Sequence, residues 1–480
     1  MPRPVLVTRT VARLSAGVLA GTLAVTALSV ISGADDASDA ATPVAAATKK
    51  PVKPVKKAKK VNIVTPGDFS GYGFDQCQAP SQTAMNRWLR SSPFSAVGIY
   101  IAGDSRACRN QKYLNATWVS TQLARGWRLL PITLGPQASC QPRFPRYKDD
   151  FKISPAVSAN STYATALQQG ITQASASVAA ASALGIAPGS TLWYDLEGFD
   201  HNNTACRESA LSFLSGWTQQ VKALGYVSGV YSSAGSGIKA LDDARVNRPT
   251  AFALPDQIWI ARWDGVASVS TKYVRSDGWM PHARVKQYQG GHNETWGGTK
   301  INIDRNFMTL GRGSVAAAET HCGGVPFPAR GYTTLRPPAA GVVPPADQVS
   351  MLQCLLQERG LYNATINGEF DSATLAAVNA WQAARKLPVA AGWSRRNWVS
   401  LFTAGDTPVL KFGSAGPAVR RLQRALNAAS TDATAQAVTA SGVFNKKTDL
   451  ALRAWQKRVG VEVSGVAASQ TWYALKAGKL

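Results

Sequence analysis

The sequence has no Cys-x-x-Cys pair, although it contains six cysteines. Zinc sites are usually built on such pairs, so the spacing disfavours a metal, and we expect neither a metal nor another cofactor. In an exported chain, cysteines without this spacing favour disulfides, and the sequence alone does not choose among the possible pairings. The six residues are Cys77, Cys108, Cys140, Cys206, Cys322 and Cys354.

Acidic residues are scarce: 28 Asp and Glu stand against 52 Lys and Arg, and the formal net charge is +24. The first 66 residues contribute +7, from ten Lys and Arg against three Asp, so the remaining chain carries +17. A field of that sign favours a polyanionic partner. No nucleic-acid-binding motif is present. We therefore expect anionic cell-wall polymers or a membrane surface as partners, and no nucleic acid.

Long apolar runs are absent after the N-terminus, where a nearly uncharged stretch from Leu14 to Gly33 follows Arg3, Arg9 and Arg13. This pattern predicts a secretory signal peptide over residues 1–33, with an uncleaved membrane anchor as the alternative. Residues 34–66 are rich in Ala, Lys and Pro and predict an extended linker. We expect a secreted protein associated with the cell wall.

Residues 67–325 contain eight short apolar runs that alternate with helix-like stretches. This rhythm predicts an α/β protein with a (β/α)₈ TIM-like barrel. An open, doubly wound sheet is the alternative, but no Gly-rich phosphate-binding turn follows the first run. The candidate strands are Tyr72–Asp75, Ala96–Ala102, Arg128–Leu134, Thr191–Glu197, Val227–Ser233, Gln257–Trp263, Arg284–Gln289 and Ile301–Asp304.

The fourth candidate strand carries two carboxylates two residues apart, Asp195 and Glu197. Apolar and polar positions alternate here, so both carboxylates should face the same way, roughly 6.6 Å apart. Neighbouring carboxylates raise each other's pKa, which suits general acid catalysis at a glycosidic bond. The structural alternative is that one caps the next helix and the other pairs with an arginine.

In a barrel of this kind, active-site residues lie at the C-terminal ends of the strands. Asp75 ends the first candidate strand and Asp304 the eighth, which adds two carboxylates to the pair on the fourth. Aromatic and amide groups that would hold sugar rings end the sixth and seventh strands: Trp263, Gln287 and Tyr288.

The motifs at these strand ends resemble the family 25 glycoside hydrolases, the lysozyme-type muramidases. They are Gly73-Phe-Asp75, Tyr194-Asp-Leu-Glu197, Gly229-Val-Tyr231, Ile260-Ala-Arg-Trp263, Lys286-Gln-Tyr288 and Ile303-Asp-Arg-Asn306. Residues 67 to about 320 resemble more closely a secreted actinobacterial glycoside-hydrolase-like domain of unknown function, whose typical opening is Gly73-Phe-Asp-Gln-Cys-Gln-Ala-Pro80.

The resemblance implies a general acid/base, Glu197, and three carboxylates that position the substrate or stabilise the transition state, Asp195, Asp75 and Asp304. It also implies a set of substrate-binding residues: Tyr194, Tyr231, Trp263, Gln287 and Tyr288. For a substrate with N-acetyl sugars we favour substrate-assisted catalysis, in which Asp195 orients the acetamido group. Asp75 or Asp304 as a nucleophile remains the alternative.

The C-terminal part contains an internal repeat after a Pro-rich linker over residues 326–346. Val349-Ser-Met-Leu-Gln353 matches Val419-Arg-Arg-Leu-Gln423, and Gly-x-Phe, Thr, Trp-Gln and Trp-x-x-Leu motifs follow in both copies. The copies, residues 347–405 and 406–480, resemble the three-helix peptidoglycan-binding-like module. We expect their tryptophans in the core, and exposed polar residues and the Gly-rich loop in ligand binding. A disulfide between Cys322 and Cys354 is our preferred pairing, because it would tie the linker to the first copy.

The whole pattern favours a monomeric, secreted glycoside hydrolase that acts on peptidoglycan and is targeted by two binding modules. Two alternatives stay open: a non-catalytic wall-binding protein with an inactive glycan-binding barrel, and a hydrolase of another extracellular polysaccharide.

Overall fold

The computed structural model describes residues 62–141, 147–328, 331–339, 341–430 and 438–480. The predicted signal peptide and most of the first linker lie outside these residues. Within the described ranges, no helix is both long and apolar enough to cross a membrane.

Eight strands close into a barrel in chain order, which confirms the predicted fold class. The strands are β1 (Phe69–Asp75), β2 (Phe94–Ala102), β3 (Arg128–Thr133), β4 (Thr191–Asp195), β5 (Val227–Ser233), β6 (Gln257–Ala261), β7 (Ala283–Trp296) and β8 (Thr299–Leu310). Five helices follow the first five strands: α1 (Gln82–Ser91), α2 (Ala116–Ala124), α3 (Ala164–Ala183), α4 (Thr204–Ala223) and α5 (Lys239–Asn247), with a π-helical turn (Ala234–Ile238) leading into α5.

The last strand departs from the standard (β/α)₈ arrangement, because β8 runs antiparallel to both β7 and β1. Two left-handed glycines, Gly297 and Gly298, make the hairpin turn between β7 and β8, a conformation that glycine adopts at little cost. The prediction that Asp304 ends the eighth strand is therefore wrong, since β8 continues to Leu310. Asp304 still reaches the C-terminal mouth of the barrel, because the reversed strand pairs it with Asp75.

Large side chains fill the barrel interior beneath the mouth. Trp193 and Trp259 meet edge to face, with ring centroids 5.5 Å apart. Trp193 fits because its neighbour on β5 is Gly229, where a Cβ would lie 2.5 Å from the indole ring. Such rigid aromatic packing holds the strand ends above it in fixed positions.

Each C-terminal repeat forms three helices. They are α6 (Ala346–Gln357), α7 (Ser372–Ala384) and α8 (Arg395–Phe402) in the first module, and α9 (Pro417–Ala429), α10 (Lys446–Val459) and α11 (Ser469–Lys476) in the second. One apolar core spans both modules. Its tryptophans are buried as predicted: Trp381, Trp398, Trp455 and Trp472. Tyr332 and Leu335 of the predicted Pro-rich linker also belong to this core.

The repeated Leu-Gln motif has a structural role. Gln353 of α6 accepts from the backbone N–H of Gly368 at 3.0 Å and donates to the Thr374 hydroxyl at 3.0 Å. Gln423 of α9 makes the equivalent bonds to Gly442 and Thr448. In both modules a buried amide therefore holds the Gly-x-Phe loop against the second helix.

All six cysteines form disulfides, as predicted. The pairs are Cys77–Cys108, Cys140–Cys206 and Cys322–Cys354. The last pair is the one preferred from the sequence, and it joins the segment after the barrel to α6.

The second module packs against the barrel at the end opposite the mouth. The buried Lys411 ammonium donates to the backbone carbonyls of Leu89 (2.9 Å), Ser92 (3.1 Å) and Phe94. It also lies 5.3 Å from the centre of the Trp127 ring. Burial lowers the pKa of Lys411 to about 7. One side chain thus satisfies three barrel carbonyls at this contact.

Lys411→Ala should loosen the contact between the second module and the barrel, because three carbonyls lose their shared donor. Leaving a buried polar group unpaired costs about 1–3 kcal/mol. We expect faster hydrogen exchange of backbone amides near residues 89–95 and 410–416 and a lower melting temperature. Lys457→Ala, on the exposed side of α10, is the matched control. Unchanged exchange in Lys411→Ala would contradict this role.

Candidate active site

Four carboxyl groups surround one cleft at the C-terminal mouth of the barrel. The cleft has a volume of about 390 Å³. The structure brings together there all four predicted carboxylates, from three strands and one loop: Asp75, Asp195, Glu197 and Asp304. Tyr231, Trp263 and Gln287 line the same cleft. A small, partly enclosed volume rimmed by acids and aromatics is suited to holding a sugar unit.

Asp75 and Asp304 form a cross-strand pair of carboxyls bridged by one amide. The Gln287 side-chain nitrogen donates to Asp75 at 3.2 Å and to Asp304 at 3.1 Å. Asp75 also accepts from the Asn306 amide at 2.6 Å. Burial raises the pKa of Asp75 to about 6. Burial, together with the charges of Asp75 and Glu197, raises the pKa of Asp304 to about 8.

These pKa values separate the two groups at neutral pH. Asp75 is ionised, and the amides that donate to it stabilise its charge. Asp304 keeps its proton and can donate a hydrogen bond. Such a pair of environments assigns different protonation states to two acids that have the same intrinsic chemistry.

Both the oxygen and the nitrogen of the Gln287 side-chain amide are hydrogen-bonded to other residues of the cleft. Its oxygen accepts from the Tyr231 hydroxyl at 3.0 Å and from the Trp263 indole nitrogen at 2.9 Å. Its nitrogen faces the two aspartates described above. These partners fix the orientation of the amide in the cleft lining.

Asp195 and Glu197 occupy different environments although they are two residues apart. Asp195 ends β4, is buried and accepts from the Tyr100 hydroxyl at 3.3 Å. Glu197 lies two residues beyond β4, so the predicted strand was too long by that amount, and its side chain is only half-buried. Of the two, Glu197 is therefore better placed to reach a substrate.

Gln137, from the loop after β3, holds this strand end on both sides. Its amide oxygen accepts from the Glu197 backbone N–H at 2.8 Å, and its amide nitrogen donates to the Asp195 carbonyl at 2.9 Å. Burial and nearby carboxylates raise the pKa of Tyr100 and of Tyr231 well above the usual value. Both phenols remain neutral donors at working pH.

Trp263 presents an exposed ring at the edge of the cleft. Its side chain is 58% exposed, while its indole nitrogen is held by Gln287. The ring lies against Gly290 of β7, where a Cβ would stand 2.4 Å from it. A large apolar ring that is held in place yet exposed is a suitable stacking surface for a sugar.

Two of the predicted substrate-binding residues lie elsewhere. Tyr194 is fully buried on the outer face of β4, donates to the Pro136 carbonyl at 2.6 Å and packs against Phe213 and Trp217. Tyr288 is 5% exposed and lies outside the cleft lining. Alternation along a strand explains both positions, because each follows or precedes a residue that faces the cleft.

The cleft also contains residues that were not predicted from the sequence: Tyr100, Ser233, Ala261 and Arg262. Tyr100 and Ser233 lie near the C-terminal ends of candidate strands. Active-site residues of such barrels lie at these ends, so the sequence could have indicated both. Gln137 and Asn306 act behind the cleft. Gln137 lies in a loop without periodicity, so no sequence pattern pointed to it.

One group of potential metal ligands occurs among the described residues, formed by Cys322, Cys354 and Glu358 within 4.8 Å of one another. Its two sulfurs are bonded to each other in a disulfide, so they do not offer thiolates to a metal.

Two family models match the chain. Residues 86–308 match the model described as an Rv2525c-like, glycoside hydrolase-like domain, and residues 345–390 and 415–475 match a putative peptidoglycan binding domain. The first match includes three of the cleft carboxylates, but Asp75 precedes it. The chain thus joins a glycoside hydrolase-like barrel to two peptidoglycan-binding modules. These modules and the disulfides indicate an extracytoplasmic protein associated with the cell wall.

The solved structures that match part of the chain have low sequence identity to it. The Tat-secreted protein Rv2525c of Mycobacterium tuberculosis, in complex with L-tartrate, is 12% identical with a TM-score of 0.32, over 51% of this chain and 97% of that one. An uncharacterized B. stearothermophilus protein is 16% identical with a TM-score of 0.30, over 49% and 95%. The modular autolysin LytC of Streptococcus pneumoniae is 11% identical with a TM-score of 0.31, over 50% and 46%. No curated protein matches the chain in sequence.

Asp304→Asn should reduce the loss of stability at high pH. The native protein holds the Asp304 proton up to about pH 8, whereas the unfolded chain releases it near the ordinary value of 3.8. Stability from this group is therefore fully present below pH 3.8 and is lost progressively as pH rises from there to about 8. We expect the fall in melting temperature between pH 5 and pH 9 to shrink by roughly 2–4 °C. Asp149→Asn, an exposed acid, is the control; equal falls in both variants would contradict the assignment.

Proposed function

We propose that this protein is a secreted glycoside hydrolase that cleaves the glycan strands of peptidoglycan. The observation that carries the proposal is the cleft, in which four carboxyl groups and an exposed tryptophan meet at the mouth of the barrel. General acid catalysis at a glycosidic bond requires one carboxyl group that donates a proton beside others that stabilise positive charge. The peptidoglycan-binding modules determine which polymer the protein binds.

Glu197 is the proposed general acid and base. It is the half-buried carboxyl of the fourth strand end, and its backbone is held by Gln137. In the first step Glu197 gives its proton to the leaving oxygen while the bond to the anomeric carbon breaks. In the second step it takes a proton from the water that attacks the same carbon.

The substrate's own acetamido oxygen is the proposed nucleophile. Its attack on the anomeric carbon forms a cyclic intermediate, which water then opens, and Asp195 orients the amide during both steps. The environments of the two other candidates support this choice. Asp75 is buried and accepts from two side-chain amides, and Asp304 is protonated at neutral pH. Neither presents an unengaged carboxylate. Asp304 instead donates a hydrogen bond to a sugar hydroxyl.

The two C-terminal modules raise the local concentration of barrel at the insoluble polymer. Binding through linked modules makes each further contact intramolecular. The charge of +17 outside the first 66 residues adds attraction to anionic wall polymers. The basic surface thus promotes adsorption to the polymer, whereas the acidic cleft carries out the hydrolysis.

Glu197→Gln should abolish release of reducing sugar from purified peptidoglycan while leaving folding and glycan binding nearly unchanged. The amide keeps the shape of the side chain but delivers no proton, and general acid–base catalysis contributes about 10²–10⁴-fold. Asp195→Asn should also lower turnover. Thermal melts and a binding assay provide the controls. Equal release by wild type and Glu197→Gln would reject Glu197 as the acid. Absence of release from both, with binding retained, would favour the non-catalytic alternative.

A fragment that begins before Cys322 and ends at Leu480 should sediment with insoluble peptidoglycan without the barrel. It keeps the disulfide Cys322–Cys354 and the apolar core that spans both modules. Part of the binding should weaken above ~0.15 M salt, because exposed charges are screened there. The barrel alone is the control. If the barrel sediments as well as the full chain and the fragment does not, the modules are not the targeting element.

A further inference from the structure

A second cavity adjoins the cleft on the other side of the aspartate pair. It has a volume of about 220 Å³ and shares Asp75, Tyr100 and Asp304 with the cleft. Its other lining residues come from the loops after β1 and β2 and from β3's end: Gln76, Cys77, Arg106, Ala107, Cys108 and Leu134. A chain of sugars that crosses the aspartate pair would therefore place one unit in each cavity.

Arg106 is the single basic residue among the described residues that line this second cavity. Its Nε donates to the Gly103 carbonyl at 2.7 Å and its Nη1 to the Tyr100 carbonyl at 3.4 Å. The side chain is half-buried, and burial lowers the pKa of its guanidinium. Over the described ranges, no carboxylate forms an ion pair with it, and Nη2 donates to no protein acceptor. The charge of the neighbouring Asp104 partly offsets this effect, but among the described residues its carboxylate forms no hydrogen-bonded pair with Arg106. A partly desolvated guanidinium with an open donor group is stabilised when an anion binds beside it.

The position of Arg106 is fixed by the two loops that carry the cavity. The disulfide Cys77–Cys108 joins them covalently. The Gln111 amide nitrogen donates to the carbonyls of Cys77 at 2.8 Å and Cys108 at 3.0 Å. Because these loops are tied together before any ligand arrives, little conformational freedom remains to be lost on binding.

We propose that this cavity binds a carboxylate carried by the sugar unit next to the scissile bond, with Arg106 as the residue that recognises it. The inference rests on the proposed function and deepens it by naming the chemical feature that the barrel selects. Guanidinium and carboxylate form strong charge-assisted hydrogen bonds, and the outward edge of Arg106 offers the donors.

The neighbouring aspartates are compatible with an anion at neutral pH. Asp304 keeps its proton up to about pH 8, because burial raises its pKa. The charge of Asp75 is engaged by the Asn306 and Gln287 amides. The charge that remains available to a ligand in this cavity is therefore the positive charge of Arg106.

Peptidoglycan offers two sources for such a carboxylate. Strands stripped of their peptides carry a free lactyl carboxylate on each muramic acid. Strands that retain the peptides have the lactyl group in an amide bond and carry carboxylates on the peptide instead. Chitin oligosaccharides have the same linkage and acetamido groups but no carboxylate. These three ligands separate the recognition of charge from the recognition of the glycan backbone.

The test measures calorimetric binding of soluble tetrasaccharides to the full chain carrying Glu197→Gln, so that no turnover occurs. The ligands are denuded peptidoglycan tetrasaccharide, the peptide-bearing form and chitotetraose. A Trp263→Ala variant identifies which part of the binding belongs to the barrel cleft and not to the modules. We expect Arg106→Gln to weaken binding of the preferred carboxylate ligand about tenfold, the size of one lost charge-assisted hydrogen bond, and to leave chitotetraose unchanged.

Arg109→Gln is the matched control, because this exposed arginine lies in the same loop but outside the cavity lining. Arg106→Lys should retain part of the preference for the carboxylate ligand that Arg106→Gln loses. Lysine keeps the positive charge but lacks the paired N–H donors of the guanidinium group. Whichever carboxylate ligand loses affinity in Arg106→Gln identifies the source of the anion. Equal weakening of all three ligands, or equal effects of Arg106→Gln and Arg109→Gln, would overturn the inference. Absence of any binding that depends on Trp263 would instead remove the proposed function.

Discussion

The candidate site depends on one arrangement, the amide of Gln287 between two aspartates and two aromatic donors. This amide can bridge Asp75 and Asp304 only because β8 runs antiparallel to its neighbours and pairs the two aspartates in register. In a fully parallel barrel the middle of β8 would lie below the mouth. The reversal of a single strand thus creates a bridged acid pair, and the pair gives the cleft two carboxyls with different protonation states.

The same amide links the acid pair to the exposed ring of Trp263. Its oxygen holds Tyr231 and Trp263, so the aromatic edge and the acidic centre of the cleft are connected through one residue. Gly290 completes this arrangement, because only a residue without a side chain leaves room for the Trp263 ring. On the far side, Gln137 fixes Asp195 and Glu197 through backbone contacts. Both glutamines are buried polar groups with satisfied partners, which makes the geometry of the cleft rigid.

The two cavities on either side of the acid pair have unequal electrostatics. The larger one is lined by all four carboxyl groups, by Arg262 and by the exposed tryptophan, whereas the smaller one is lined by Asp75, Asp304 and Arg106 beside a disulfide. A glycan with alternating neutral and acidic units has the same asymmetry. The repeated glutamines, threonines and tryptophans of the modules are buried and stabilise the fold of the modules.

The sequence by itself determined the barrel, the repeat and the positions of Asp75 and Asp195 at strand ends, because period-two alternation, short motifs and their order are local properties of the chain. It also contained the evidence against Tyr194, which alternates with Asp195 on β4. Only the tertiary structure decided the direction of β8, since a strand's own residues do not state which way it runs beside its partners. The second cavity and the roles of Gln137, Gln287 and Arg106 were likewise decided by folding. Each of these residues acts through contacts with segments distant in sequence, and no local pattern encodes which segments will meet.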